Sequence, residues 1–205
     1  MSMYGRLKRT IDVAGATVLL LVASPVLLVA VLLVRVTMGS PVLFRQTRAG
    51  LDRRPFTLLK FRTMRHPARG ETSVASDAAR LTAIGGWLRK TSIDELPQLL
   101  NVLRGDMSLV GPRPLLPEYL PRYSAEQARR HTVRPGVTGL VQVSGRNALS
   151  WNDRLALDVW YVDHRSIRLD LSILGRTVLA VLSGRGARDE HVTSREFMGS
   201  GQCDS

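Results

Sequence analysis

Asp94 and Glu95 stand side by side, and basic residues recur on either side of them: Lys60, Arg89, Lys90, Arg113 and Arg146. Adjacent helical residues point about 100° apart. Two such carboxylates do not confront each other across a bond, as the acid pair of a glycosidase does. The pattern suits a division of labour in which one carboxylate attacks and the other holds a cation. Arginine matches phosphate oxygens bidentately. Arg113 sits between Pro112 and Pro114, and Arg146 follows Gly145, so both have rigid settings. These residue types point to a phosphorylated substrate. A plainer reading stands beside that one. Acidic residues are favoured in any helix's first turn. Glu95 follows Ser92 at the spacing of a capping box, and single Arg and Lys are ordinarily solvated.

The elements that would position these residues follow from the apolar pattern. Leu96, Leu99, Leu100 and Leu103 recur at helical spacing, so a helix is predicted from Ser92, with Pro97 tolerated near its first turn and Gly105 ending it. Its N-terminus would keep a carboxylate ionised and attract phosphate. Pro41 to Phe61 reads as extended: two apolar runs flank Arg48-Ala-Gly-Leu-Asp52 and predict a small hairpin, with Lys60 and Arg62 at its end. His66 to Ser76 reads as a loop, Leu81 to Arg89 as a short helix, and Gly111-Pro-Arg-Pro114 as a stiff turn. Pro121 to Val133 is a polar helix candidate, and Val137 to Gly145 reads as extended or irregular. Helices are predicted over Trp151 to His164 and Leu169 to Leu182. The second belongs either to the core or to a membrane interface.

Charge and hydropathy set the surroundings. The 205-residue chain has a formal net charge of +12, which implies an anionic partner: nucleic acid, anionic lipid headgroups or a phosphorylated substrate. Its one cysteine, Cys203, allows no intrachain disulfide, and its four histidines lack the spacing of a zinc site. Val13 to Val34 carries no charge and would reach about 33 Å as a straight helix, enough to span a bilayer. The run exceeds the apolar region of a signal peptide, and no small-residue cleavage site follows it. Ser24-Pro25 near its middle predicts a break or kink. Basic residues flank both ends: Arg6, Lys8 and Arg9 before, Arg35, Arg45 and Arg48 after. A spanning helix would place one cluster outside, against the positive-inside bias. A re-entrant hairpin keeps both on the cytoplasmic leaflet.

Several segments together resemble a known family. They are Lys60-Phe-Arg-Thr-Met64, the unbroken run from Thr91 through Ser92-Ile-Asp-Glu-Leu-Pro-Gln to Gly111-Pro-Arg-Pro114, Arg134-Pro-Gly-Val-Thr-Gly-Leu140, Ser144 to Trp151, and Leu157-Asp-Val-Trp-Tyr161. They resemble the bacterial sugar transferases, and more narrowly the small monotopic polyprenyl-phosphate phosphoglycosyl transferases, over about residues 4 to 182. The resemblance implies Asp94 as nucleophile and Glu95 as its partner at a Mg2+ ion. It implies Lys60, Arg89, Arg113 and Arg146 near the substrate phosphates, Asp158 as a supporting acid, and Ser24-Pro25 as the break of a re-entrant membrane helix.

The expected fold is therefore α/β, mainly α with a small β-hairpin. A re-entrant membrane helix occupies 1–36, one cytoplasmic catalytic domain with interfacial amphipathic helices 37–183, and a polar, disordered tail 184–205. The expected reaction transfers a phosphosugar from a UDP-sugar to a polyprenyl phosphate, with UMP released, at the cytoplasmic face of a bacterial inner membrane. Larger members of the family carry additional N-terminal spans, so the resemblance would place this chain in the minimal class. The alternative is a basic, membrane-associated scaffold without chemistry. Nucleic acid is not an expected partner, because no aromatic-rich binding motif or zinc module accompanies the charge.

Overall fold

The structure, a computed structural model, describes residues 3–65, 80–145 and 149–183 together with Phe197 and Gly199. The loop expected over His66 to Ser76 and most of the tail lie outside the described residues.

Helix α1 runs over Met3–Met38 with Pro25 inside it. At Ser24-Pro25, where a break or kink is expected, the helical structure is continuous. Proline has no N–H to give the carbonyl of Leu21, four residues back. The Ser24 hydroxyl donates to that carbonyl instead, at 2.8 Å. The serine satisfies the acceptor that the proline leaves without its usual donor.

A single stripe of α1 faces the rest of the chain. Asp12, Ala16, Ala30 and Val34 are buried, and Leu20, Leu27 and Met38 pack against the same cores. Their steps of three, four and multiples of these trace one face of a helix. Val18, Leu21, Val22, Leu28, Leu32 and Val36 on the other faces are each more than half exposed. A core helix of a soluble protein would be mostly buried. Here only 11% of the most apolar stretch is, in a helix long enough to cross a membrane.

Both ends of α1 are fastened to one domain. Arg9 donates to the carbonyls of Val102 and Leu103 at 2.7 and 3.1 Å, and Asp12 accepts from the Leu109 N–H at 3.1 Å. At the other end, Arg62 donates to the carbonyls of Met38, Gly39 and Ser40. Arg62 is therefore a clamp on the end of α1.

The hairpin forms as expected. Strand β1 (Leu43–Ala49) pairs antiparallel with β2 (Pro55–Phe61), Leu43 opposite Phe61 and Ala49 opposite Pro55. The free edge of β2 meets a side chain in place of a third strand. Asn101, fully buried, accepts from the Leu59 N–H at 3.1 Å and donates to the Thr57 carbonyl at 2.8 Å. Helix α2 (Ala83–Lys90) lies on the backbone beyond β2, so closely that a Cβ at Gly85 would fall 1.9 Å from the Thr63 carbonyl oxygen. Asn101 belongs to α3 (Gln98–Arg104), which ends at Gly105 in the left-handed conformation, as expected.

A short parallel pair follows, β3 (Ser108–Val110) with β4 (Gly136–Thr138). The single helix expected over Pro121 to Val133 is instead three pieces. Turns of 3-10 helix at Pro117–Arg122 and Arg129–Thr132 flank α4 (Ala125–Ala128). Tyr123 is extended and breaks the run, and Ser124 starts α4 with a capping box to Gln127. After β4, α5 (Leu140–Ser144) replaces the irregular chain expected there. Helices α6 (Trp151–His164) and α7 (Ile167–Leu182) form where predicted, capped by the Ser150 and Ser166 hydroxyls.

The main core gathers Leu58, Leu99, Val102, Met107, Val110, Tyr161 and Ile173 around Ala16 of α1. A buried polar knot ties α1, β3, α6 and α7 together. Tyr161 Oη donates to Asp170 Oδ1 at 2.7 Å and lies 3.1 Å from the Val110 carbonyl, while Lys8 pairs with Asp170 Oδ2 at 2.7 Å. Helix α7 has one side in the core and one apolar side exposed. Asp170 and Ile173 are buried, whereas Leu171, Val178, Leu179 and Leu182 are exposed along the opposite side.

Candidate active site

The acidic pair does not open a capped helix. Ser92 has φ 56° and ψ 16°, the left-handed region, and its side chain makes no cap hydrogen bond. A capping residue needs extended backbone. Pro97 gives the rest of the reason: it has no N–H to donate back to Ile93. Ile93–Glu95 therefore form a 3-10 turn, and α3 begins only at Gln98, after Pro97. A left-handed conformation at a residue other than glycine costs about 1–3 kcal/mol. It directs the chain so that Asp94 is buried, only 4% exposed, while Glu95 reaches outward to Arg113.

Three of the four expected cations gather at this turn. Lys60 comes from the end of β2. Burial pulls its ammonium below the usual lysine range, and the carboxylates of Asp94 and Glu95 pull it back up, with Arg113 and Arg89 among the charges it feels. Its Nζ also lies over the Phe44 ring, 5.5 Å from the centroid. Arg89, at the end of α2, donates from Nε to the Thr63 hydroxyl at 3.0 Å. Arg113 pairs with Glu95 at 3.0 Å. Arg146 lies outside the described residues.

Asp158 holds a positioning place. It is buried in α6, and its Oδ2 accepts from Arg130 Nε at 3.0 Å and Nη2 at 2.7 Å. Burial pushes the Asp158 carboxyl up and the guanidinium pulls it back down. The same Nη2 donates to the Arg113 carbonyl at 2.7 Å. Asp158 thus acts on the Gly111–Pro114 turn through Arg130, a residue absent from the sequence-based set. That turn is also fixed by close backbone contact: a Cβ at Gly136 would lie 2.1 Å from the Gly111 nitrogen. Arg48 is a second omission. It spans from β1 toward the Pro114 carbonyl, and burial, with Arg113 nearby, lowers it to about 10. Neither arginine has a local signal, because each takes its role from partners far along the chain.

Beside Arg130, His131 is buried with Nδ1 3.4 Å from the Gly50 carbonyl, and burial lowers it from 6.5 to about 4. The folded state therefore favours the neutral ring. Stability is full above the unfolded pKa of 6.5 and is lost as pH falls toward 4. Thermal melts across that window will show the native chain losing about 2 kcal/mol more than a His131→Gln variant.

A cleft of about 200 Å³ opens at the acidic turn. Glu95, Arg113 and Gln142 supply its polar wall, and Ile93, Leu96 and Val181 an apolar one. A larger cavity of about 250 Å³, lined by Lys8, Asp12, Arg134 and Tyr161 among others, contains none of the expected site residues. The Mg2+ ion that the resemblance implies would draw on the two carboxylates of this turn. Mg2+ commonly takes one or two carboxylates and completes its shell with water and substrate phosphates. Asp94 and Glu95 offer two carboxylates, and among the described residues no group of three or more His, Cys, Asp or Glu forms a metal cage.

Carboxylates among cations, next to a cleft with an apolar wall and close to a long apolar helix, suit a class of protein that handles phosphorylated substrates at the boundary of polar and apolar phases. Comparison with known proteins gives the particular family. The family model described as bacterial sugar transferase matches residues 3–184. An uncharacterized sugar transferase, EpsL, of Bacillus subtilis is 53% identical over 97% of this chain and 99% of its own length. A UDP-glucose:undecaprenyl-phosphate glucose-1-phosphate transferase of Caulobacter vibrioides is 45% identical over 86% of this chain and 70% of its own. An undecaprenyl-phosphate galactose phosphotransferase of Salmonella typhimurium is 40% identical over 88% of this chain and 41% of its own. The chain belongs to the bacterial sugar transferases, and it is an enzyme of the sugar-phosphate transferase class.

Proposed function

We propose that the enzyme transfers a sugar-1-phosphate from a UDP-sugar to undecaprenyl phosphate at the cytoplasmic face of a bacterial inner membrane, an opening step of glycoconjugate assembly. The observation that carries this reading is the convergence of Lys60, Arg89 and Arg113 on the turn that buries Asp94. The names of the Caulobacter and Salmonella relatives supply the lipid acceptor, and the Caulobacter name supplies the nucleotide.

In the proposed reaction an Asp94 carboxylate oxygen attacks the β-phosphorus of the UDP-sugar. The bond from that phosphorus to the bridging oxygen breaks, and UMP leaves. The phosphosugar is then an acyl phosphate on Asp94. A phosphate oxygen of the lipid carrier attacks the same phosphorus, and Asp94 departs as a carboxylate. Lys60, Arg89, Arg113 and Arg146 offset the charge that builds on the phosphate oxygens. Glu95, with Asp94, would hold Mg2+, which when bound supplies Lewis-acid polarisation of phosphoryl oxygens.

The re-entrant reading of α1 rests on its two fastened ends. Arg9 and Arg62 anchor opposite ends of the helix to one domain, which supports a reading with both basic flanks on that domain's side of the membrane. The exposed leucines and valine of α7 offer a second apolar surface that lipid could cover.

Release of UMP from a panel of UDP-sugars tests the function. With purified protein in nanodiscs, undecaprenyl phosphate and Mg2+, one or a few donors will give multiple turnovers. Chelation of the metal will lower the rate by about 100-fold or more. Absence of UMP from every donor, with protein shown to be folded, would exclude UDP-sugars as the donor class.

A further inference from the structure

Phe197 lies beyond the 3–184 stretch that matches the family and inside the segment expected to be a disordered tail. It is nonetheless buried, at 2% exposure. Its ring stacks on Tyr123 with centroids 5.5 Å apart and meets Tyr119 edge-on at 5.7 Å and Trp151 at 5.4 Å. Arg122 donates to its backbone carbonyl. Four aromatic rings close over one another, with Leu155 beneath them.

The rings that receive Phe197 come from two segments, and both lead to Arg113. Tyr119 and Tyr123 follow the Gly111–Pro114 turn that carries Arg113. Trp151 is the first residue of α6, the helix that carries Asp158. Tyr123 also lies under the Arg130 guanidinium, 5.9 Å from ring centroid to Cζ. A continuous line of contact therefore runs from Phe197 through Tyr123 to Arg130, and from Arg130 to Asp158 and the Arg113 carbonyl.

We infer that Phe197 is a positioning residue for the transfer reaction: its ring plugs the aromatic socket and holds the Arg113 turn against α6. The proposal rests on the reading of Arg113 as a phosphate-binding residue. It gives Phe197, a residue outside the family-matched stretch, a role in turnover.

The test uses the full-length protein in nanodiscs, with hydrogen exchange measured beside UMP release. Phe197→Ala will speed exchange over Gly111 to Arg130 and the first turn of α6, leave the β1–β2 hairpin unchanged, and lower kcat about tenfold. Phe197→Tyr, which keeps a ring, will restore both. If Phe197→Ala does not fold, Phe197→Leu, apolar without a ring, takes its place with the same expectations. Unchanged exchange over Gly111 to Arg130, or faster exchange there with native turnover, overturns the proposal. The exchange readout needs no substrate, so failure of the UDP-sugar assignment would be seen separately.

Discussion

Asp94→Asn enzyme will fold, bind membranes and turn over at least about a thousandfold more slowly than the native chain. The size follows from the proposed role. An amide is a far weaker nucleophile than a carboxylate, and a covalent route that loses its nucleophile keeps only the catalysis supplied by binding and charge. The substitution is nearly isosteric, so burial of this side chain is no obstacle to folding. The native enzyme, given donor and Mg2+ without lipid phosphate, will release UMP in a burst equal to the enzyme present and gain the mass of a phosphosugar on the peptide carrying Asp94. The Asp94→Asn variant will show neither. Native-rate turnover by that variant would remove Asp94 from the reaction. A burst without an adduct on this peptide would move the covalent bond elsewhere.

The second large effect is expected at a residue that the proposed reaction does not place on substrate. Arg130→Met leaves Asp158 buried and without the guanidinium that now gives it two hydrogen bonds. Removing one partner of a buried ion pair costs about 3–5 kcal/mol, which lowers the melting temperature by roughly 10 °C for a domain of this size. The double variant Arg130→Met/Asp158→Leu removes both charges and will recover much of that loss, because apolar replacements of buried pairs are often neutral. Its turnover will stay low, since the Arg113 carbonyl still lacks its donor. A double variant that regained stability and rate together would reduce the pair to packing.

These two predictions differ in how far the sequence reaches toward them. Asp94 and Glu95 could be singled out because a local motif surrounds them. The hairpin was readable for a similar reason, its strands being apolar runs about a short turn. Helices α6 and α7 carried their periodicity within themselves. Arg130 could not be chosen, since the feature that sets it apart is Asp158, in another helix and beyond an intervening strand. Ser92 misled in the opposite direction. Its spacing to Glu95 has the form of a cap, but Pro97 delays the helix and Ser92 is left-handed. At Pro25 the helix runs on because the neighbouring hydroxyl takes over the Leu21 carbonyl, a side-chain partnership that the proline alone does not announce. Strands of three residues, such as β3 and β4, carry too little pattern to be seen before their partner is known. Phe197 is one aromatic residue in a polar stretch, and nothing nearby marks it as an anchor.

The inward stripe of α1 sets two regimes of mutational tolerance along one helix. Outward positions such as Val22, Leu28 and Val36 need only remain oily, so sequence drift there is nearly free among aliphatic side chains. Inward positions are subject to fit. Ala16 and Ala30 are almost completely enclosed, and even one added methylene at either would have to lift the helix from the domain. Hydrophobicity alone would rate both sets of exchanges as conservative.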